Sequence, residues 1–289
     1  MAWTVLGVVL DAISYGMVLF IISIGLSIMM GLMRVVNLAH GAFAMIGGYL
    51  ASYALKSLGV SYPLAIVLAV IGAILISIPF EFLLYRRIYR KSDELTQILL
   101  TIGITFVIIG IANYVLGPTS KSIPLPAALS GPFDLGFRMI PAHRLFVIAC
   151  GLCTALLLLL LIDRTEFGVR MRAAVDNGDM AEALGIRTQL IFTAAFALAI
   201  GLAAFGGVVG AELLPIEPFY ALRYMVTFLV VVSVGGAGSI AGALSASMLL
   251  GLADTTGKYL APEYGEFFFY LAVILAVFLF PNGLLGRKH

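Results

Sequence analysis

Charge is scarce in this sequence. Asp, Glu, Lys and Arg supply 11% of 289 residues against 62% apolar residues, and mean hydropathy is +1.11. An average soluble domain has about a quarter of its residues charged, so this chain lacks the polar surface that water requires. A net charge of +2 excludes a nucleic-acid role. No charge precedes Asp11, so the basic segment of a cleaved signal peptide is missing and the first apolar run is expected to remain as a span. The only cysteines, Cys150 and Cys153, lie in an apolar run without the polar helix start of a redox pair, and packing is expected of them. No G-x-x-x-x-G-K-(S/T), H-E-x-x-H or G-x-S-x-G string and no Cys/His cluster at metal spacing occurs, which leaves nucleotide binding to another chain and gives intramembrane hydrolysis no equipment.

What is present is one apolar run after another. A bilayer core needs about 20 apolar residues per helix, and backbone groups in lipid must be satisfied internally. Tracts such as 156–162 and 228–232 do not alternate as barrel strands do. The fold class is therefore all-α, a polytopic transmembrane helical bundle forming a single domain over residues 1–289, with spans at 14–33, 38–55, 62–85, 95–116, 145–162, 190–213 and 267–280. Residues 224–253 are broken by Gly235, Gly236 and Gly238 and read as two short or half helices meeting at 235–239, which brings the total to about eight spans. Such a break lines a path, lets helices approach closely, or does both.

Basic residues orient the chain. With the breaks at Arg34, 86–91, 163–189 and the C-terminal end inside, that side holds eleven (Arg34, Arg86, Arg87, Arg90, Lys91, Arg164, Arg170, Arg172, Arg187, Arg287 and Lys288). The other holds six, namely Lys56, Lys121, Arg138, Arg144, Arg223 and Lys258. This bias places the N-terminus outside and the C-terminus in the cytoplasm. The outer loop 117–143 contains five prolines and is expected to be an irregular cap. Glu81 is read as an interfacial charge beside Arg86, and Glu212, Glu217 and Asp254 as lying near the outer ends of their segments. A proton-coupled carrier needs a carboxylate midway along a span, and none is convincingly central.

Three segments carry more information. Asn37 and His40 are polar groups beside lipid-compatible runs, in Gly31-Leu32-Met33-Arg34-Val35-Val36-Asn37-Leu38-Ala39-His40-Gly41. The loop 163–189 spends about 27 residues where a connection needs only about two to eight, an excess that points to an external contact. Its middle reads as an amphipathic helix with Ala174, Met180, Ala181 and Leu184 apolar and Gly185 ending it. The third segment is Val234-Gly235-Gly236-Ala237-Gly238-Ser239-Ile240-Ala241-Gly242.

Together these segments resemble the branched-chain amino acid (Liv-type) permease subunits of ABC importers. The likeness lies in the N-(L/F)-A-H-G element at Asn37 to Gly41, the stretch from Glu166-Phe167-Gly168-Val169-Arg170-Met171-Arg172 through Glu182 to Gly185, the glycine-rich motif, and the ending Phe280-Pro281-Asn282-Gly283-Leu284-Leu285-Gly286. The resemblance implies a multi-pass protein of the bacterial cytoplasmic membrane that does no covalent chemistry. It implies partnership with a second homologous permease, two cytoplasmic ATPase subunits and an extracytoplasmic solute-binding protein, with ATP and Mg held by the ATPases and none by this chain. It also implies a substrate pathway near Asn37, His40, Gly41, Gly235, Gly236, Gly238 and Ser239. ATPase coupling falls to Glu166, Gly168, Arg170, Arg172, Ala174, Glu182, Leu184 and Gly185, where a bulky charge at Ala174 or Leu184 should uncouple hydrolysis from transport. The implied solutes are branched-chain or related amino acids, with urea, short amides or aromatic acids as alternatives. A stand-alone secondary transporter or channel is the reading from a different class.

Overall fold

The computed structural model describes residues 2–33, 35–86, 94–134, 139–280 and 283–285. Expectations resting on Arg34, Arg87, Arg90, Lys91, Arg138, Pro281, Asn282, Gly286, Arg287 and Lys288 lie outside the described residues. Among the described residues twelve α-helices follow one another, with one two-stranded sheet. They are α1 (Ala2–Leu32), α2 (His40–Ser57), α3 (Tyr62–Phe80), α4 (Glu94–Leu116), α5 (Ala127–Ser130), α6 (Ala142–Arg164), α7 (Glu166–Asp176), α8 (Gly178–Ala183), α9 (Thr188–Val209), α10 (Tyr220–Gly235), α11 (Ile240–Leu260) and α12 (Gly265–Leu279). Six of these stretches are long and apolar enough to cross a membrane, and α10 is a shorter apolar helix. The polytopic bundle read from the sequence is the fold observed.

Burial divides the spans into a hub and a rim. Over its most apolar stretch α1 is 61% buried, whereas the last span is 17% buried and turns most of its surface outward. The hub, α1, packs along α6, α9, α10 and α11, and α2 fits among α3, α9 and α10. Lipid tails are as apolar as leucine side chains, so close backbone approach must hold such helices together, and small residues permit it. At the crossing of α2 and α9, a Cβ on Gly47 would overlap the backbone of Ala204, and one on Gly207 would overlap the backbone of Ala44. Because α2 and α11 carry these small and polar residues inward, they fall outside the six most apolar stretches although they lie within the bundle.

The first span begins at Ala2 and not at residue 14, and two further stretches differ in detail from the sequence reading. The broken region turns where expected, at residues 236–239, and its first arm, α10, is a short helix of 16 residues. Its second arm, α11, has 21 residues and runs on to Leu260, seven beyond the expected limit of 253. The turn stands beside the last turns of α1, where the Gly238 amide donates to the Ser27 carbonyl at 3.1 Å and to its hydroxyl at 3.0 Å.

The second difference is in α3, which continues past Phe80 as a π-helical turn, Glu81–Tyr85. It follows Pro79, which has no N–H to donate to the preceding turn. The wider winding points Glu81 and Tyr85 inward, and both are 0% exposed. Glu81 is thus buried inside the protein, paired with the Arg86 beside it in sequence. One of its oxygens meets Arg86 at 3.1 Å and accepts from the Thr193 hydroxyl at 3.0 Å.

The outer loop is a cap as expected, but a more regular one. It contains the one-turn α5 and an antiparallel pair, Pro132–Asp134 with Met139–Pro141. The Lys121 amide bonds to the Ile216 carbonyl at 2.8 Å and Ser52 donates to the Ser122 carbonyl at 3.2 Å, fastening the loop to the segment after α9 and to the end of α2.

Candidate functional site

The break between α1 and α2 is a knot of polar groups sealed from solvent. Asn37 is 0% and His40 1% exposed. Asn37 Oδ1 accepts from the Ala39 amide at 3.0 Å, which turns the chain into α2, and from the Tyr85 hydroxyl at 2.7 Å. Its amide nitrogen reaches the Met29 sulfur at 3.5 Å. His40 Nε2 lies 2.8 Å from the carbonyl of Ile22. A carbonyl only accepts, so Nε2 bears the proton and Nδ1 is the bare nitrogen. That Nδ1 is buried without a hydrogen-bond partner, and His40 lines a small cavity shared with Asn37, Gly41, Met225 and Phe228. Asn37 and His40 thus tie α1, α2 and the π-turn of α3 together, and Gly41 packs against Ala221 of α10.

These bonds predict unequal costs. Tyr85→Phe removes one hydrogen bond but leaves Asn37 Oδ1 satisfied by Ala39, which should destabilise the protein by about 1 kcal/mol. Asn37→Ala removes the acceptor of both the Ala39 amide and the Tyr85 hydroxyl, and stranding the buried Ala39 amide alone costs about 1–3 kcal/mol, so this variant should lose more. Thermal unfolding in detergent compares the two. Equal losses would show that Tyr85 alone fixes the break.

The glycine motif forms a second knot next to the first. A Cβ on Gly31 would overlap the backbone of Gly238, one on Gly242 would overlap the carbonyl of Gly235, and one on Gly283 would reach Gly236 at 2.7 Å. Gly236 and Gly238 have φ of 90° and 81°, where a side chain is strained. The Ser239 hydroxyl accepts from the Gly242 amide at 3.0 Å and caps α11. The Leu284 amide donates to the Val234 carbonyl at 2.7 Å, so the chain's last described residues close over the turn. Gly235 and Gly236 are buried, while Gly238 is open to solvent.

The segment expected to couple is two helices where one was expected. α7 stops at Asp176, and Asn177 starts α8 by accepting from the Met180 amide at 3.0 Å. Gly185, at φ 85°, ends α8 as expected: its amide bonds to the Glu182 carbonyl, and the Ile186 amide bonds to the Ala181 carbonyl, both at 2.9 Å. Two anchors hold the segment to the bundle. Arg172 donates to the Ile162 carbonyl at 2.7 Å at the end of α6, and Gly168 sits so close to that carbonyl that a Cβ would overlap it. Glu182 accepts from the Thr188 hydroxyl at the start of α9. Glu166 and Arg170 pair at 2.6 Å on the exposed side.

The apolar residues expected on one face of this segment divide between two. Met171, Ala174 and Ala181 are buried against the bundle, whereas Val169, Met180 and Leu184 are 57%, 59% and 76% exposed. Ala174 therefore belongs to the anchoring face and is withdrawn from the surface a partner can reach. Met180, omitted from the expected coupling residues, stands on the reachable face, and the Asn177–Gly178 cap is the sequence signal that splits the helix there.

The model described as branched-chain amino acid transport system / permease component matches residues 8–277 of this chain. The high-affinity branched-chain amino acid transport system permease protein LivH of Salmonella typhimurium is 27% identical, over 96% of this chain and 94% of the relative. BraD of Pseudomonas aeruginosa, of the same description, is 27% identical over 96% of this chain and 95% of its own length. A probable branched-chain amino acid transport permease protein LivH from Methanocaldococcus jannaschii is 25% identical over 95% and 90%.

Proposed function

This chain belongs to the branched-chain amino acid transport system permease family, and from that premise we propose that it is the membrane-spanning subunit of an ATP-driven importer carrying branched-chain amino acids inward. The observation that carries the coupling half of this reading is the divided segment α7–α8. One face is locked to α6 and α9 through Gly168, Arg172, Ala174 and Glu182, and the other presents Met180 and Leu184 to water. A helix fixed at its base and apolar at its tip suits a groove on another protein and passes that protein's movement to the spans. The occupant of the tip is a cytoplasmic ATPase subunit, with ATP and Mg bound there. The assembly has two ATPases, a second homologous permease and an extracytoplasmic solute-binding protein. The Asn37–His40 knot and the 235–239 turn border the pathway in a conformation that closes it. The N-terminus lies outside and the C-terminus inside, in the cytoplasmic membrane.

Transport of leucine, isoleucine or valine into proteoliposomes by the assembled complex tests the function, and ligand binding by the cognate binding protein tests the solute. Failure of all three amino acids there, with an amide or aromatic acid bound instead, would replace the solute and keep the importer. Orientation is tested separately. In a background with Cys150 and Cys153 replaced, and with the permease produced without its ATPases so that the tip is uncovered, Leu184→Cys is expected to react with an impermeant maleimide in inverted vesicles and not in intact cells. The reverse pattern would invert the topology and remove the ATPase from this segment.

A further inference from the structure

A second cavity, of about 310 Å³, lies beside the middle of α1 at Tyr15 and among the ends of α10, α11 and α12. Its walls carry both signs of charge: Arg223 on α10, Asp254 and Lys258 on α11, and Glu266 on α12. None of these belongs to the motifs above, and charged side chains along spans are costly enough that a cluster of them in a cavity calls for a role.

The four differ in how firmly they are held. The Asp254 side chain is 10% exposed and fixed in the wall, while its partner Lys258, 2.7 Å away, is 55% exposed on a flexible stem. Arg223 reaches Glu217 at 2.9 Å and is 60% exposed. Ion pairs with one exposed member exchange readily for another partner of like charge. A ligand ammonium can therefore take the place of Lys258 on Asp254, which frees Lys258 to join Arg223 on an adjacent carboxylate. A cavity of one sign would take a simple ion. Here a fixed anion is paired with a movable cation one turn on in its own helix, a second movable cation, Arg223, and the carboxylate of Glu266 line the same cleft, and the matching ligand bears both charges close together. Leu213, Leu214 and Phe269 supply apolar wall beside the charges, and the volume lies at the small end of ligand pockets.

We propose that this cleft is the outer receiving site for a zwitterionic amino acid, held by its ammonium on Asp254 and its carboxylate on Arg223 and Lys258. The proposal rests on the importer reading and adds to it a site on this chain. Thr227 also lines the cleft and serves as a reporter. In the assembled permease–ATPase complex in proteoliposomes, with Cys150 and Cys153 replaced, Thr227→Cys is expected to react with an impermeant thiol reagent from the outer face. Leucine in the high millimolar range should slow that reaction about fivefold by occupancy. Isocaproate, which lacks the ammonium, and isopentylamine, which lacks the carboxylate, should not. Adding Asp254→Asn should abolish the protection by leucine. Should Thr227→Cys fail to assemble, Leu213→Cys on the same cleft carries the same readout.

No reaction from outside, no protection by leucine, equal protection by the half-molecules, or protection that survives Asp254→Asn would each overturn the site. Uptake of leucine by the same vesicles, with binding protein and ATP supplied, separates the two readings. Uptake without protection removes the cleft alone, and absence of uptake for every amino acid by the complex without the Thr227 substitution removes the amino-acid solute on which the site rests.

Discussion

Replacing Met180 and Leu184 together by aspartate is expected to abolish ATP-driven uptake while leaving a folded permease in the membrane. Both side chains are more than half exposed, and surface changes of this kind alter stability by no more than about 0.5 kcal/mol. Seated in a partner's groove, the same positions lose water, and an unpaired carboxylate placed there costs several kcal/mol, enough to weaken the association about 100-fold or more. Co-purification of the ATPase with tagged permease and leucine uptake should fall together. Ala174→Asp separates docking from anchoring. Ala174 is 4% exposed against the bundle, so a charge there should lower the yield of folded permease before any docking is tested. Uptake at the native level in the double variant, with the ATPase still bound, would show that the partner contacts another surface.

The glycine knot supports an equally large effect of a different kind. Gly242→Val places a Cβ on the carbonyl of Gly235, and Gly31→Val places one on the backbone of Gly238. Neither neighbour is the far end of a flexible side chain, so helices must move apart. Overpacking costs about 1–3 kcal/mol in ordinary cores, and backbone-on-backbone overlap belongs at or above the top of that range. Each variant should therefore show a strongly lowered melting temperature in detergent or fail to accumulate. Gly103 and Gly110 on α4 have nothing within 4 Å of an added Cβ. Gly→Ala at either should raise helix stability by up to about 1 kcal/mol. A thermal series over the four positions reads the contrast directly, and a neutral Gly242→Val would show that the α10–α11 turn relaxes freely.

The spans were legible because lipid leaves an apolar chain so few options. Their ends were less so. α11 outruns the expected limit because Asp254, Thr255, Thr256 and Lys258 lower the local hydropathy, and a polar stretch inside a bundle reads like an exit from it. Asp254 faces a cleft, which a one-dimensional profile does not contain. The burial of Glu81 was hidden for a related reason, since a one-dimensional profile does not show that the chain after Pro79 winds as a π-helical turn. The asparagine and histidine elements were conspicuous by residue type, but which groups they bond depended on Tyr85, Met29 and Ile22, up to 48 positions away, and the glycine element bonds Ser27, 211 positions away. The amphipathic pattern at 174–184 was visible, yet Asn177 rotates the second helix and sends Met180 and Leu184 away from Ala174. The charged cleft draws on residues from Tyr15 to Tyr270, a juxtaposition with no motif to announce it.

The hub position of α1 bears on how the protein is made. Every helix that packs closely along it, from α6 onward, is synthesised after residue 141. Ser14, Ser23 and Ser27, all 0% exposed in the finished bundle, must therefore wait among acyl chains or at the insertion machinery while the ribosome completes the rest. Assembly of the centre is thus a late event in biogenesis, and a nascent chain arrested before α9 would leave its first helix without its principal neighbours.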